Sequence, residues 1–375
     1  MSDYKIHLVT MPKWGLAMQE GTIVGWHVAE DERISEGQPL CDIETAKITN
    51  EFDSPFSGIL ARIIKPGVSL VSVGEVIGVI ADEGAPRQEI DERVAAMQAT
   101  YSKAGEDIDT GPQVQKLDTK EGTLAYVESG DPESNRAVLF IHGFGGDHKN
   151  WSLLQSELPE SMRAIALDLP GHGRSGTDVG TGSAKDIAKV VSAFIEAIGL
   201  KQIDLVAHSF GANVAAAVAA ANMSKVCSIF VIAPLAFGAS ADPAFVRGYV
   251  GAHRKREMIP VMEMLFSNPK FLSRAMVSDA LASLRDDEAR LALSKIGEKL
   301  LEAKPGDARQ ELLFLQKWPS LVVWGSSDRV VEMPAGFEVL AGNNLIILHG
   351  AGHMPHAENP SAIAKLLRVL LEDGI

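Results

Sequence analysis

Hydrophobic residues follow two different patterns along the chain. Up to residue 82, short runs of alternating apolar and polar residues are separated by glycine and proline, as in antiparallel strands. From residue 115 onward, continuous apolar runs alternate with segments of helical spacing. The stretch 83–114 has weaker periodicity, apart from a short helical pattern near 90–101. We therefore predict an all-β domain at 1–82, a linker at 83–114 that is either flexible or partly packed as a helix, and an α/β domain at 115–375.

The β domain contains an internal repeat. Gly21 and Gly58 are 37 residues apart, and the same shift aligns Gly37 with Gly74. Under the same shift, apolar residues align with apolar residues, both between these glycines and beyond them. A duplicated set of short strands predicts two similar halves with quasi-twofold symmetry, arranged as a flattened barrel or sandwich.

The second region predicts an α/β fold. Its strand candidates are GTLAYVES, AVLFIHG, RAIALDL, IDLVAHS, CSIFVIA, LVVWG and NLIILHG, and its helix candidates are SAKDIAKVVSAFIEAIG, FGANVAAAVAAAN and SAIAKLLRVLLEDG. Buried strands interleaved with helices favour a mostly parallel sheet covered on both faces. Residues 236–319 contain helix-like segments and no good strand pattern, which predicts a helical cap inserted over the edge of the sheet.

Composition and charge exclude several classes of protein. The chain is 46% hydrophobic, which is ample for a large core and excludes disorder throughout. Its net charge of −14 argues against nucleic-acid binding, because that affinity depends on Lys and Arg neutralising phosphates. Two distant cysteines encode neither a disulfide framework nor a cysteine metal site, and we expect no metal. The N-terminus lacks the pattern of a signal peptide and no run suits a membrane span, so we predict a cytoplasmic protein.

The segment LVAHSFGANV carries the strongest chemical signal of the second domain. Ser209 falls between an apolar strand and an alanine-rich helix, with the small residues Ala207 and Gly211 two positions away on either side. A serine on such a strand-to-helix turn has an exposed hydroxyl, and the following helix N-terminus favours developing negative charge. The alternative is a buried turn without chemistry. We interpret Ser209 as the candidate nucleophile.

An activated serine needs a base and an acid that orients the base. On this kind of sheet the expected order is serine, acid, histidine, with the last two on loops after later strands. Asp328 follows LVVWG and His353 follows NLIILHG, so these two are the candidates, with Glu332 and His356 as the nearest alternatives. Asp168 follows an earlier strand, and we expect it to brace its own loop.

The glycine-rich segment IHGFGG completes the candidate site. A loop of this kind after a strand presents a backbone N–H group to an oxyanion, here that of Phe144. The N–H of Phe210, the residue after the candidate nucleophile, would be the second donor. We expect His142 and His208 to support the site structurally.

These motifs together resemble the α/β-hydrolase family. HGFGG, DLPGHGRS, AHSFG, WGSSDRVV and GAGHMPHAENP occur in family order from about Leu117 to the C-terminus. The resemblance implies a serine nucleophile, acyl-enzyme chemistry and a helical cap over the site. Dehalogenases and epoxide hydrolases of this fold carry aspartate at the position of Ser209, which argues against those two activities.

Lys47 stands between two strand-like runs, DIET and ITNEF, and thus at a predicted hairpin tip. A solvated surface lysine would be the default for an isolated lysine. Here the segment from roughly 6 to 80 resembles lipoyl domains of 2-oxo acid dehydrogenase-type complexes, through MPKWGLAMQEGTI, the E-T-x-K tip and SPFSG. The resemblance implies that Lys47 is lipoylated. In biotinyl domains, the alternative, the lysine usually sits between two methionines, whereas its neighbours here are Ala46 and Ile48.

The two domains in combination resemble the dihydrolipoamide acetyltransferase components of bacterial acetoin-cleaving dehydrogenase systems. The resemblance implies transfer of an acetyl group from lipoate on Lys47 to coenzyme A through Ser209. It also implies two partners, a thiamine-diphosphate-dependent acetoin dehydrogenase and a dihydrolipoamide dehydrogenase. We further expect a lipoate ligase and other copies of the chain as partners. Two alternatives stay open: a serine hydrolase or thioesterase that releases the acyl group to water, and a non-catalytic scaffold.

Overall fold

The computed structural model describes residues 4–12, 20–44, 49–66, 69–91, 93–94, 113–304 and 306–373. The chain divides into two compact units, residues 1–111 and 112–375. Lys47 and residues 95–112 of the predicted linker lie outside the described residues.

The described residues up to 82 form eight short strands, as the alternating pattern predicts. The strands are β1 (Ile6–Thr10), β2 (Glu20–Trp26), β3 (Arg33–Ile34), β4 (Pro39–Glu44), β5 (Thr49–Asp53), β6 (Gly58–Ile63), β7 (Ser69–Ser72) and β8 (Val76–Ala81). They pair in two four-stranded antiparallel sheets of order β1-β8-β6-β3 and β5-β4-β2-β7. Apolar side chains from both sheets, including Ile23, Ile43, Leu60 and Ile80, are fully buried in one core.

The two sheets correspond to each other under the repeat seen in the sequence. A shift of 37 residues carries β2, β3 and β4 onto β6, β7 and β8. Gly37 and Gly74 both adopt positive φ, 80° and 83°. Their N–H groups donate to the carbonyls of Ser54 (2.8 Å), directly after β5, and Met11 (2.9 Å), directly after β1. The repeated glycines therefore mark matched turns, in a conformation that glycine adopts without strain.

A helical segment at 87–91 and 93–94 follows β8. Ile90 and Val94 of this segment are buried in a small cluster with Val79 and Ala81 of β8. The first part of the predicted linker thus packs on the first unit.

The described residues of the second unit form an eight-stranded sheet. Its strands are β9 (Gln115–Thr119), β10 (Gly122–Ser129), β11 (Arg136–Ile141), β12 (Arg163–Asp168), β13 (Gln202–His208), β14 (Val226–Ile232), β15 (Ser320–Gly325) and β16 (Leu345–Leu348). The strand order is β16-β15-β14-β13-β11-β12-β10-β9. The strands from β11 to β16 run parallel, and β10 pairs antiparallel with both β9 and β12. All seven predicted strands are present, and the predicted mostly parallel sheet is confirmed.

The helices of the second unit follow the predicted alternation. They are α1 (Ser152–Ser156), α2 (Ala184–Ala197), α3 (Phe210–Ala221), α4 (Pro243–Gly251), α5 (Lys255–Glu263), α6 (Arg274–Ser283), α7 (Asp287–Glu302), α8 (Ala308–Leu315), α9 (Phe337–Ala341), α10 (Pro355–Glu358) and α11 (Pro360–Asp373). Five of them, α4 to α8, lie between β14 and β15, where the sequence predicts the cap. In the described part of the chain, no helix combines the length and apolarity needed to cross a bilayer.

The sheet determines where chemistry takes place. Because parallel strands end at the same edge, the loops after β11, β13, β15 and β16 meet there. These four loops contain Phe144, Ser209, Asp328 and His353.

Candidate active site

Ser209 occupies a sharp turn between β13 and α3. Its backbone angles are φ 52° and ψ −122°, an uncommon conformation for a residue with a side chain. Three backbone hydrogen bonds maintain the turn: the Ser209 N–H donates to Ile232 (3.0 Å), and its carbonyl accepts from Ala212 (3.0 Å) and Leu235 (3.1 Å). The surrounding structure thus holds the serine in the geometry that the A-H-S-F-G motif predicts.

Two glycines allow the backbone to pass close to this turn. A Cβ atom on Gly211 would overlap the carbonyl oxygen of Ile141, at the end of β11. A Cβ atom on Gly143 would lie 2.9 Å from the Cβ of Ser209. The glycine-rich loop after β11 therefore lies directly against the candidate nucleophile.

His353 and Asp328 form a buried pair. The Nδ1 atom of His353 lies 2.8 Å from Oδ2 of Asp328, and each side chain is 2% exposed. The other carboxylate oxygen, Oδ1, accepts the N–H groups of Val330 (2.8 Å) and Val331 (2.9 Å). Because a carboxylate accepts, this hydrogen-bond pattern assigns the proton to Nδ1 of His353 and leaves Nε2 as an acceptor.

The residue before Ser209 connects the serine turn to the histidine loop. The Nε2 atom of His208 donates to the backbone carbonyl of His353 at 2.8 Å. The two imidazole rings lie 4.7 Å apart. Burial, together with the charge of His353, holds the pKa of His208 well below its usual value, so His208 is a neutral donor. This contact fixes the backbone of His353 relative to the turn that carries Ser209.

The two alternative residues occupy different environments. Glu332 is exposed. His356 is buried, stacks on Trp151 with ring centroids 4.8 Å apart, and lies 4.7 Å from the ring of His208. Neither of its ring nitrogens has a hydrogen-bond partner among the residues that the structure describes. Burial, followed by the charge of His353, lowers the pKa of His356 to about 3. Its surroundings are those of a neutral ring packed behind the site.

His142 orients the peptide that contains the Phe144 N–H group. Leu169 donates its N–H to Nε2 of His142 at 2.9 Å, so the proton resides on Nδ1, which donates to the carbonyl of Gly143 at 2.7 Å. That carbonyl belongs to the same peptide unit as the N–H of Phe144. Burial lowers the pKa of His142, which keeps the ring neutral. Among the described residues, the N–H groups of Phe144 and Phe210 have no acceptor, so both are available to a ligand.

Asp168 braces its loop. Its Oδ1 accepts from both the N–H (2.8 Å) and Nδ1 (2.7 Å) of His148, and its Oδ2 accepts from the N–H of Arg174 (2.8 Å). Burial opposes ionisation, but the hydrogen bond and charge of His148 lower the pKa of Asp168 overall. Asp168 thus stabilises the loop after β12, in line with the sequence interpretation, and its hydrogen bonds to described residues do not include His353.

Neither cysteine has the environment of a nucleophile. Burial, with a contribution from the charge of Asp42, raises the pKa of Cys41 to about 12. Burial also raises the pKa of Cys227, which lies within β14. A reactive cysteine needs a lowered pKa, so both thiols are structural.

One group of potential metal ligands exists among the described residues. His27, Asp42 and Glu51 of the first unit each offer a ligand atom, and these atoms lie within 4.8 Å of one another. His27 is already paired with Asp42 at 3.0 Å, and the group is largely exposed. We assign no metal to it.

The sequence gives no motif for Tyr249, a residue of α4 that contacts the glycine-rich loop. Its hydroxyl donates to the carbonyl of Gly145 at 2.7 Å. A cavity of about 280 Å³ lies beside this contact, lined by the loops after β11 and β12 and by the cap, with Arg174 and Ser283 among its residues. This cavity lies between the glycine-rich loop and the cap, and Ser209, Asp328 and His353 are not among its lining residues.

Comparisons with known proteins agree with this architecture. The model of the alpha/beta hydrolase family matches residues 138–366, and that of the biotin-requiring enzyme (biotin/lipoyl) family matches residues 7–80. A solved membrane phospholipase A covers 76% of this chain and 94% of its own, with 24% identity and a TM-score of 0.59, which shows the fold alone. Its similarity confirms the α/β-hydrolase fold of the second unit.

Two curated relatives extend over nearly the whole chain. One, from Cupriavidus necator, is 33% identical over 365 residues, covering 96% of this chain and 96% of the relative. The other, from Pseudomonas putida, is 33% identical over 358 residues, covering 94% and 95%. Both are named dihydrolipoyllysine-residue acetyltransferase component of acetoin cleaving system. This chain belongs to the family of dihydrolipoyllysine-residue acetyltransferases of acetoin-cleaving systems.

Proposed function

We propose that the chain transfers an acetyl group from lipoyl-lysine to coenzyme A through an acyl-enzyme on Ser209. One observation carries the assignment of residues: the Asp328–His353 pair is connected, through the 2.8 Å contact of His208 with His353, to the turn that holds Ser209. The acetyltransferase activity and the use of lipoate and coenzyme A follow from the family.

His353 acts as the base in the first half-reaction. Its free Nε2 accepts the hydroxyl proton of Ser209 while the serine oxygen bonds to the thioester carbonyl carbon. The carboxylate of Asp328 stabilises the imidazolium, and its second oxygen is held by two backbone N–H groups. The carbon–sulfur bond then breaks, and His353 returns the proton to the departing sulfur, which leaves as a thiol.

The second half-reaction uses the same groups in reverse. His353 accepts the thiol proton of coenzyme A while the sulfur attacks the acetyl carbon on Ser209. The bond to the serine oxygen breaks, and His353 gives that oxygen its proton. The products are acetyl-coenzyme A and the free serine, so no external oxidant or reductant is needed.

The N–H groups of Phe144 and Phe210 are the proposed donors to the oxyanion formed in both halves. Phe210 is the first residue of α3, so the positive end of the helix dipole adds to its contribution. The carbonyl of Gly143 accepts from His142 and from the N–H of Gly146 (3.1 Å), and this polarises the N–H of Phe144. The loss of one such donor typically costs about 3–4 kcal/mol of transition-state stabilisation.

Lys47 is the proposed lipoyl attachment residue. Strands β4 and β5 form a hairpin that closes at the Glu44–Thr49 pair, and residues 45–48 connect the two strands. The tip of a hairpin suits an exposed lysine that carries an appended group. When bound, lipoate supplies the acetyl group on one of its sulfur atoms. The first 82 residues then act as a carrier, and residues 115–375 act as the catalytic domain to which the carrier delivers.

Membership of this family also indicates partner proteins. Membership of an acetoin-cleaving system implies a dehydrogenase component that acetylates the carrier. We propose that this component depends on thiamine diphosphate, that a dihydrolipoamide dehydrogenase reoxidises the carrier, that a lipoate ligase modifies Lys47, and that the chain forms homo-oligomers.

The test uses the full chain and free S-acetyl-dihydrolipoamide, with and without coenzyme A. We expect acetyl-coenzyme A to form with the wild type and not with Ser209→Ala. Acetate as the main product in the presence of coenzyme A would instead indicate a thioesterase. Transfer by Ser209→Ala at near wild-type rate would exclude the serine intermediate, and the absence of any product from the wild type would indicate a scaffold.

A further inference from the structure

We propose that Tyr249 of the cap is a positioning residue, which holds the oxyanion-binding loop (residues 143–146) in its active conformation. A closed cap and a competent oxyanion site therefore form together. The inference rests on the proposed function, because it takes Phe144 of this loop as an oxyanion donor. It assigns a mechanistic role to a residue that belongs to no sequence motif.

The contact between Tyr249 and the loop is direct and partly buried. The tyrosine hydroxyl donates to the carbonyl of Gly145 at 2.7 Å, although the two residues are 104 positions apart in the sequence. Tyr249 is 2% exposed. Gly145 has φ 73°, and a Cβ atom on it would lie 2.6 Å from Cζ of the tyrosine ring. The ring therefore packs against the bare backbone of the loop.

The loop needs contacts of this kind because its own sequence gives it little rigidity. Gly143, Gly145 and Gly146 flank Phe144, and glycine has the widest range of backbone conformations. On the side of the sheet, the Gly145 N–H donates to Nε2 of His172 at 3.1 Å. On the side of the cap, the Gly145 carbonyl accepts from Tyr249. The two contacts fix both peptide units of Gly145, and one of these units is shared with Phe144.

The Phe144 side chain is held by the same two residues. Its ring makes edge contacts with the rings of Tyr249, at a centroid distance of 5.8 Å, and of His172, at 6.4 Å. Burial lowers the pKa of His172 to about 3, so its ring stays neutral and accepts the N–H of Gly145. A displacement of Tyr249 would therefore release both the backbone and the side chain next to the proposed donor.

Hydrogen bonds within the cap join the helix that carries Tyr249 to the neighbouring cap helices. Arg290 of α7 donates hydrogen bonds to the carbonyls of Val250, Ala252 (3.2 Å) and Leu284 (3.0 Å). These bonds join the end of α4 to the connection between α6 and α7. Burial, with a smaller contribution from the charge of Asp147, raises the pKa of Tyr249, so the hydroxyl keeps its proton. Tyr249 is thus a neutral donor held by the helices of the cap.

This arrangement couples the cap to the chemistry. If α4 moved away from the loop, the Tyr249–Gly145 bond would break and the Phe144 N–H would lose one of its supports. The oxyanion would then be less stabilised, so the oxyanion site is competent only while α4 contacts the loop.

The test compares Tyr249→Phe with a matched control, Tyr126→Phe. Tyr126 is also buried, at 7% exposure, and its hydroxyl bonds to Gln115 at 2.9 Å on the far edge of the sheet. Both variants lose one oxygen atom and keep the ring. Rates are measured per active site titrated with a fluorophosphonate, so that any unfolded fraction is not counted.

We expect Tyr249→Phe to lower kcat for acetyl transfer and for p-nitrophenyl acetate hydrolysis by about 10-fold or more, because misplaced catalytic groups lower rates steeply. KM should stay within about two-fold, and affinity for a boronic acid, whose serine adduct mimics the oxyanion, should fall in parallel with kcat. Tyr126→Phe should change none of these quantities.

The outcomes separate this inference from the function on which it rests. If the wild type neither acetylates coenzyme A nor cleaves p-nitrophenyl acetate, the proposed function fails. If the wild type is active and Tyr249→Phe matches Tyr126→Phe in kcat, the inference alone is overturned. A rise in KM with unchanged kcat and unchanged boronic acid affinity would also overturn it, since Tyr249 would then act only in substrate binding.

Discussion

The Asp328 carboxylate lies 2.8 Å from Nδ1 of His353, and both side chains are withdrawn from solvent. The two residues come from loops after neighbouring parallel strands, β15 and β16. Since the other oxygen of Asp328 is occupied by two backbone N–H groups, the carboxylate has a fixed orientation. This geometry determines the imidazole tautomer and leaves Nε2 for a proton from Ser209.

The first prediction concerns this tautomer. Asp328→Asn keeps the size of the side chain but lets an amide N–H face the imidazole, which favours the wrong tautomer. We expect kcat for acetyl transfer to fall by about 10⁴-fold, as in other serine triads, with an unchanged circular dichroism spectrum. Glu332→Gln is the control, and its kcat should stay near the wild-type value because Glu332 is exposed. Equal losses in the two variants would contradict the role of Asp328.

A second prediction follows from the buried histidine behind the site. His356 has a pKa of about 3 in the folded chain, because burial disfavours its charged form, and about 6.5 in the unfolded chain. Between these values the unfolded state binds more protons, so the protein loses stability as the pH falls from about 6.5 towards 3. Above about pH 6.5 both states are neutral at this residue, and its effect on the free energy of unfolding is constant.

The measurement is the free energy of unfolding in urea at pH 7, 6, 5 and 4. The variant His356→Phe removes this titrating group. It should lower the slope of the free energy of unfolding against pH by up to about 1.4 kcal/mol per pH unit. His253 is exposed, and His253→Gln should leave the slope unchanged. An unaltered slope in His356→Phe would show that His356 titrates at an ordinary pKa in the folded chain.

The third prediction tests the close packing at the serine turn. A methyl group on Gly211 would overlap the backbone oxygens of Ile141 and His142, which cannot move without shifting β11. We expect Gly211→Ala to lower the free energy of unfolding by about 1–3 kcal/mol, as overpacking does, and to lower kcat as well. Gly251, at the end of α4, has open space around its Cα, so Gly251→Ala should be tolerated. Thermal unfolding and kcat of the two variants provide the comparison.

Local sequence was sufficient to predict the fold and to propose most site residues. Ser209 lies within a motif in which small residues on either side directly indicate a sharp turn. Asp328 and His353 follow apolar runs, and parallel strands bring the loops after such runs to one edge. Strand β9 was missed because its residues, QKLDT, are polar and pair at the edge of the sheet.

The contacts that local sequence could not predict join distant parts of the chain. His208 meets the His353 carbonyl across 145 positions, and Tyr249 meets Gly145 across 104. Neither pair has a periodic or motif signal, because each depends on how α4 and the loop after β16 pack over the sheet. The tautomer of His142 likewise depends on the Leu169 N–H, which only the folded chain places beside it.

The last prediction separates the carrier from the catalyst. Lys47→Arg keeps the positive charge but removes the primary amine that forms an amide with lipoate. In cells supplied with lipoate, we expect intact mass to show one lipoyl group on the wild type and on the control Lys65→Arg, and none on Lys47→Arg. The variant should retain kcat with free S-acetyl-dihydrolipoamide, because residues 115–375 are unchanged. It should lose the reaction coupled to the dehydrogenase component, because no lipoyl group remains on the chain to accept the acetyl group and carry it to the catalytic domain. Lipoyl mass on Lys47→Arg would place the attachment at another lysine, and an unmodified wild type would contradict the carrier role.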